Sequence, residues 1–293
     1  MSVDKLQKRI RELKNPLMVS FSADTKQIPP KYWSVDSSYA LDYERYAAEL
    51  LRALQDTVPA VRFHFGTFAT LGTEGLEVLC RLMDNAADLH YYVLLDAPEC
   101  WSGRQAELVA DNLMDDNNVW KFDGLLLTCY MGSDCIKPFV SCMKGNDKDL
   151  FVVLRTGNKS ASEIQDLLTG TRFVHTAAAD IASYLGQGMQ ARCGYSRVAG
   201  VGPATSAPVL QNLRSKYPSL FLLVDGLDYP GGNAKNCAQA FDRMGHGAIA
   251  CVSSYVTGAW LETDTAGAED PVACCVLAAE RLRRNLSRYV TVL

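Results

Sequence analysis

The segment Leu94 to Gly103 reads LLDAPECWSG, and VRFHF lies some thirty residues before it. Together they hold most of the chain's candidate chemistry: Arg62, His64, Asp96, Glu99 and Cys100. An apolar run ending in an aspartate is how a buried parallel strand delivers a carboxylate to the rim of an α/β sheet or barrel. His64 with Cys100 would begin a nucleophilic site, in which imidazole withdraws the thiol proton. His64 also alternates with Phe63 and Phe65, the pattern of a satisfied core histidine. Asp96 at the end of an apolar strand needs a partner, and Arg62 on a neighbouring strand would hold it as an ion pair at the barrel mouth. The two residues that follow offer no chemistry of this kind. Pro98 has neither a titratable group nor an N–H, and Trp101 fills large apolar space or anchors an interface.

A second candidate is DGLDYPGGN, Asp225 to Asn233. Paired glycines after a strand let backbone N–H groups approach an anion, so Gly231 and Gly232 line a phosphate site or form a simple turn. Arg281, Arg283, Arg284 and Arg288 form a basic run near the C-terminus. It reads as a solvated helix end that meets the helix dipole, with phosphate or lipid binding as the alternative.

Elements that could position these residues follow from apolar periodicity. Eight short runs begin at residues 17, 61, 91, 124, 150, 196, 220 and 248, separated by helical patterns. Tyr43, Ala47, Leu50, Leu51 and Leu54 make one stripe; Leu76, Leu79, Cys80 and Met83 make another, with Thr73 as its N-cap. Val272, Cys275, Val276, Ala279, Leu282 and Leu286 mark a last helix. This alternation requires parallel strands with crossover helices, and eight units close into a single (β/α)8 TIM barrel, with an open doubly wound sheet as the alternative. No Pro-, Gly- or Ser-rich linker divides the chain, so residues 1–293 read as one α/β domain. Residues 158–195 exceed one crossover and predict two helices or an insertion. The opening helix, with Leu6, Ile10 and Leu13 on one side, would cover the barrel bottom.

The 293 residues are 48% hydrophobic with a net charge of -4, which argues against a large nucleic-acid surface. Ten cysteines without CxxC or Cys/His metal spacing predict no metal site and an intracellular, reducing compartment. No apolar run is long enough to span a bilayer.

The succession NPLMVSFSA, FATLGTEGLEVL, LLDA, TCYMGSDCIKPF, LRTGN, GVGPAT, the glycine loop and CVSSY resembles orotidine 5′-phosphate decarboxylases, in particular the longer subgroup of some bacteria and of fused pyrimidine-synthesis enzymes. The likeness runs from Asn15 to about Tyr255. It implies decarboxylation of a pyrimidine nucleotide without cofactor, by alternating lysines and aspartates, in a dimer formed through the barrel mouths. The family's third strand ends in an aspartate, a lysine two residues on and a second aspartate three further. Here Asp96 remains, Pro98 stands at the lysine and Trp101 at the second aspartate. Arg62 falls on the second-strand lysine. Ser22 falls on the first-strand aspartate, unless a register shift brings in Asp24. The phosphate-binding arginine becomes Ser254, and the glutamine of the glycine loop becomes Pro230.

Residues of a catalytic network act as a unit, so these changes predict a site with no catalytic set intact. The expectation is a non-catalytic relative, serving as a structural or regulatory subunit of a protein assembly. Its expected partner is a second copy or a related barrel, with weak nucleotide binding still possible. The alternatives are orotidine 5′-phosphate decarboxylase with an atypical site, or a barrel enzyme of different activity.

Overall fold

The computed structural model describes residues 2–115, 117–262 and 270–293. Eight parallel strands close into a barrel: β1 (Leu17–Phe21), β2 (Ala60–His64), β3 (Tyr92–Asp96), β4 (Gly124–Thr128), β5 (Asp149–Val153), β6 (Ser196–Pro203), β7 (Leu220–Asp225) and β8 (Ala248–Val252). Each pairs with its neighbours in the chain, and β8 returns to β1 with Leu17 opposite Ala250. The open-sheet alternative is thereby excluded. β1, β8 and β6 are buried throughout, as strands are when helices cover one face and the barrel interior the other.

The helical stripes lie where periodicity predicts them. Tyr43, Ala47, Leu50, Leu51 and Leu54 are fully buried within α2 (Tyr39–Leu54), which Ser38 caps by accepting from the Leu41 N–H. The helix Gly72–Asp88 differs at its start: Leu71 occupies the cap position, so Thr73 lies inside the first turn and is not the N-cap. Between 158 and 195 the chain forms a 3-10 turn (Lys159–Glu163), a two-residue antiparallel hairpin (Leu168–Thr169 with Arg172–Phe173) and one helix, Val174–Leu185. The long crossover is therefore an insertion rather than two helices. The C-terminal helix Pro271–Ser287 takes Asp270 as its cap and buries Val272, Cys275, Ala279 and Leu286. All ten cysteines are free thiols, and no described helix is long and apolar enough to cross a membrane.

α1 (Ser2–Leu13) closes the bottom, burying Val3, Leu6 and Ile10. Leu13 is only half-buried, and Val3 takes its place on the inner face. Polar bonds fix the helix to the strand starts: Ser2 Oγ donates to the Asp123 carbonyl at 2.9 Å, Lys5 Nζ to Asp123 Oδ2 at 2.7 Å, and Gly247 N–H to Gln7 Oε1 at 3.1 Å. Beneath this lid lies Asp149, fully buried at the start of β5. It accepts from the Tyr92 hydroxyl at 2.9 Å and has Arg197 Nε 3.5 Å away. Burial pushes its carboxyl up to about 7, against the opposing pull of Tyr92 and Arg197. A carboxyl raised in the folded state contributes stability that is complete below the unfolded value and lost as pH rises through the folded one. Asp149→Asn, which keeps an acceptor for Tyr92 without the charge, should therefore gain on wild type between pH 4 and pH 7, by up to roughly 4 kcal/mol. Thermal melts of both chains across that range check this; a difference that does not grow with pH would show that Asp149 is ionised at no cost.

Candidate active site at the barrel mouth

The pairing of three adjacent strands assembles the centre. Ser20 on β1 lies opposite Arg62 on β2, and His64 two residues further lies opposite Asp96 on β3. Alternation along a strand puts Arg62 and His64 on the same face. There Arg62 Nε donates to Asp96 Oδ1 at 2.9 Å and its Nη2 to Asp96 Oδ2 at 2.8 Å, a bidentate pair. Its remaining arm, Nη1, donates to Asp225 Oδ1 at 3.0 Å across the barrel. His64 contacts Asp96 Oδ2 through Nδ1, while its Nε2 lies 3.0 Å from Ser20 Oγ. The result is a continuous chain from Asp225 through Arg62, Asp96 and His64 to Ser20.

Burial makes this chain strong. Arg62 is only 7% exposed. Desolvation disfavours its charge, but Asp96 and Asp225 outweigh that effect and keep it protonated well beyond the ordinary range. Burial likewise pushes the Asp96 carboxyl up, yet the Arg62 charge and the bonds from His64 and Arg62 hold it down at about 2. Cys251 on β8 lies beside the same charges as a neutral thiol, its ionisation suppressed first by burial and then by Asp225.

Asp225 owes its position to the loop that follows it. Gly226 has φ +79°, and the Tyr229 ring packs where a side chain would begin, 2.7 Å from an ideal Cβ. A side chain at Gly232 would run into the Gly226 and Leu227 carbonyls at 2.3 and 2.8 Å, so the glycine permits the loop to fold back on itself. Pro230 and Gly231 are exposed at the tip. Ser254 is exposed at the start of the short helix Ser254–Thr257. The backbone N–H groups of Ser253 and Tyr255 donate to Asp228 Oδ2 at 3.0 and 3.4 Å, so the loop supplies its own carboxylate to the end of β8.

Other residues singled out in the sequence lie nearby in different roles. Ser22 is half-buried just past β1, and Asp24 caps the turn Thr25–Gln27 by accepting from the Lys26 N–H at 3.0 Å; it does not join the cluster. Pro98 and Cys100 line a cavity of about 200 Å3 beside Asp96, shared with Thr128 and Cys135. Cys100 donates to the Pro98 carbonyl at 3.6 Å, and burial pushes its thiol up. With both His64 nitrogens engaged by Asp96 and Ser20, the expected Cys100–His64 pair does not form. Glu99 is exposed. Trp101 is 71% exposed, its N–H donating to Gln105 Oε1 at 2.9 Å. It does not plug the mouth, because Ser102 starts a helix that directs the preceding residue outward.

Two members of the cluster escaped sequence reading. Asp225 ends LFLLVD just as Asp96 ends YYVLLD, and that parallel was the available signal. Ser20, inside an apolar strand, carried none. Among the described residues, no group of three or more His, Cys, Asp or Glu side chains gathers as a metal site. What the cluster offers is a fixed buried cation, the Asp96 carboxylate kept ionised beside it, and an imidazole as a group for proton transfer.

No family model matches the chain. Curated relatives do: orotidine 5′-phosphate decarboxylase of Rhodopirellula baltica is 28% identical over 255 residues, 86% of this chain and 81% of that protein. The enzyme of Caldicellulosiruptor saccharolyticus is 24% identical over 262 residues, 84% and 86% of the respective chains. Among solved structures, a putative orotidine 5′-phosphate decarboxylase from Streptomyces avermitilis superposes with a TM-score of 0.79 at 20% identity, covering 98% of this chain and 95% of that one. The OMP decarboxylase of Leishmania donovani gives 0.74 at 22% identity, covering 99% of each. These findings correct the expectation of a non-catalytic scaffold subunit: the relatives matched over most of the chain are named as the decarboxylase itself. Pro98 and Trp101 bring no charge to the mouth, but the mouth holds a connected set of charges built on Arg62 and Asp96. Over most of its length in sequence, and in fold, the chain is similar to orotidine 5′-phosphate decarboxylases.

Proposed function

We propose that the chain is a decarboxylase of orotidine 5′-phosphate whose barrel mouth uses an atypical set of residues. The observation that carries this reading is the alternation of Asp225, Arg62 and Asp96 at the strand ends, with His64 in contact with Asp96. Loss of CO2 breaks the bond between the carboxylate and the pyrimidine ring and leaves its electron pair on the ring carbon. A fixed cation in a water-poor site stabilises that charge without reorganising, and Arg62 is the cation the cluster provides. Asp96, held ionised, faces the substrate carboxylate and favours its departure.

The ring carbon then needs a proton. Arg62 holds its own too firmly, and Pro98 has none. His64 is the group of the cluster with a transferable proton; Ser20 occupies its Nε2 until substrate takes that place. At the other end of the substrate, a 5′-phosphate would exchange with Asp228 at the N–H groups of Ser253 and Tyr255, beside the loop of Pro230, Gly231 and Gly232. The names of the relatives support the same substrate.

In this reading residues 1–293 act as a single barrel domain and pair as a homodimer through the mouths. Trp101, projecting from the rim, is the contact that stands at the place of the family's second aspartate.

CO2 release from orotidine 5′-phosphate is the direct test: turnover that rises with enzyme concentration is expected, and none at any concentration would sink the reading. His64→Gln should lower kcat by about 10²–10⁴ with little change in KM; a rate close to wild type would remove His64 from the mechanism. Arg62→Met should strand two carboxylates and cost about 3–5 kcal/mol, read in denaturant melts at neutral pH. That cost should shrink as pH falls from 4 toward 2, because stability owed to a depressed carboxyl is present above its unfolded value and lost as it protonates. A penalty independent of pH would mean that packing, rather than the ion pair, was lost.

A further inference from the structure

The insertion between β5 and β6 encloses a groove of about 660 Å3 against the helix Ala207–Lys216. Its hairpin supplies Arg172 and Phe173, and the start of the helix Val174–Leu185 supplies His175. Ser206, Asn212 and Lys216 complete the polar part of the lining. Neither the mouth cluster of Arg62, His64 and Asp96 nor any residue of the loop after β7 belongs to it. The charges around the groove leave a remainder. Arg155 donates two bonds to Asp166, at 3.1 and 2.8 Å. Asp180, just outside the lining, takes both Arg172 and Lys216 at 2.9 Å. Three cations thus meet two carboxylates, and one positive charge is in excess. A carboxylate balances it, whereas a phosphate monoester, with about two negative charges at neutral pH, exceeds it.

Donors for a carboxylate are in place. Arg172 spends only Nη1 on Asp180, which leaves the rest of its fork open, and the Ser206 hydroxyl makes no cap bond to the helix that it precedes. His175 adds an acceptor. It is 7% exposed, and its Nδ1 lies 2.9 Å from the Gln165 carbonyl and 3.2 Å from Asp166 Oδ1. A carbonyl only accepts, so Nδ1 carries the proton and Nε2 of the neutral ring presents a lone pair. No protein donor meets Nε2 among the described residues, and a buried acceptor beside a groove is matched by an N–H or O–H of what enters it. The Phe173 ring stacks on His175, with centroids 5.2 Å apart and planes at 9°, yet stays 41% exposed. Pro208 and Val209 add further apolar surface, which a flat ring would cover. The volume falls in the range of small-molecule sites. We propose that the groove is a binding site for a small aromatic carboxylate whose ring carries an N–H donor.

Calorimetric titration of indole-3-acetate into the full chain tests this, with indole-3-ethanol and 1-methylindole-3-acetate as companion ligands and Arg172→Ala as companion variant. Arg172 is exposed on the hairpin, so the variant should fold as wild type does, which circular dichroism checks. Its loss removes the excess charge and leaves Asp180 to Lys216. The expected result is a saturable site for indole-3-acetate whose Kd rises about tenfold in Arg172→Ala and about tenfold when the alcohol replaces the carboxylate. Methylation of the ring nitrogen should weaken binding as well, since it removes the donor to His175. No saturable binding up to about 5 mM overturns the assignment. So does equal affinity of wild type and Arg172→Ala, which would take the ligand out of this groove. On the wild-type chain alone, indole-3-ethanol or the N-methyl ligand binding as tightly as indole-3-acetate would also overturn it.

Discussion

A guanidinium held inside a barrel must be neutralised on the spot, and the geometry of the mouth answers that requirement. Arg62 satisfies one carboxylate with two arms and a second with the third, and the two aspartates come from strands on different sides of the closure. Removing water from three charges is costly, and only close, hydrogen-bonded pairing offsets it. The pairing fixes the ends of β2, β3 and β7 relative to one another. It also leaves Asp96 ionised and close to His64, so the same contacts that hold the mouth together prepare it for chemistry. Arginine suits this position better than lysine would, since a single ammonium has no fork with which to span Asp96 and Asp225.

The barrel was legible because its evidence is repetitive. Eight apolar runs with helical stripes between them permit few arrangements, and one error of a helix start does not disturb the others. Leu71 shows the limit: a cap position without a capping side chain leaves no mark, and Thr73 nearby attracts the assignment. Legibility declined toward the rim. Arg62 and Asp96 could be paired on paper because their strands are neighbours, but Asp225 lies on a strand far away in sequence, and only closure of the barrel brings it to the same guanidinium. The orientation of Trp101 depends on where the next helix begins, which a short polar turn does not announce. His64 was drawn toward Cys100 by residue type, whereas strand register puts Asp96 opposite it and Ser20 within reach.

At the third strand end a shared fold carries a different rim. Pro98 stands where the resemblance to the decarboxylases implies a lysine, and the cation present at the mouth is Arg62 on β2. One cation therefore serves the mouth, on a side chain long enough to reach carboxylates of two other strands. The loop after β7 contributes in a similar way, since Asp228 accepts from the backbone N–H groups of Ser253 and Tyr255 at the end of β8.

The seam between β1 and β8 joins Leu17 to Ala250, residues more than two hundred positions apart. Contacts of such separation must wait for the chain entropy of a very long loop to be overcome, and proteins that depend on them fold slowly. The bond from Arg62 to Asp225 also spans most of the barrel's sequence. While the chain is still open, Arg62 remains hydrated, and it exchanges water for its second carboxylate only as β7 and β8 arrive. The charged centre is therefore a late product of folding, and intermediates lacking the last strands would contain its residues without containing the site.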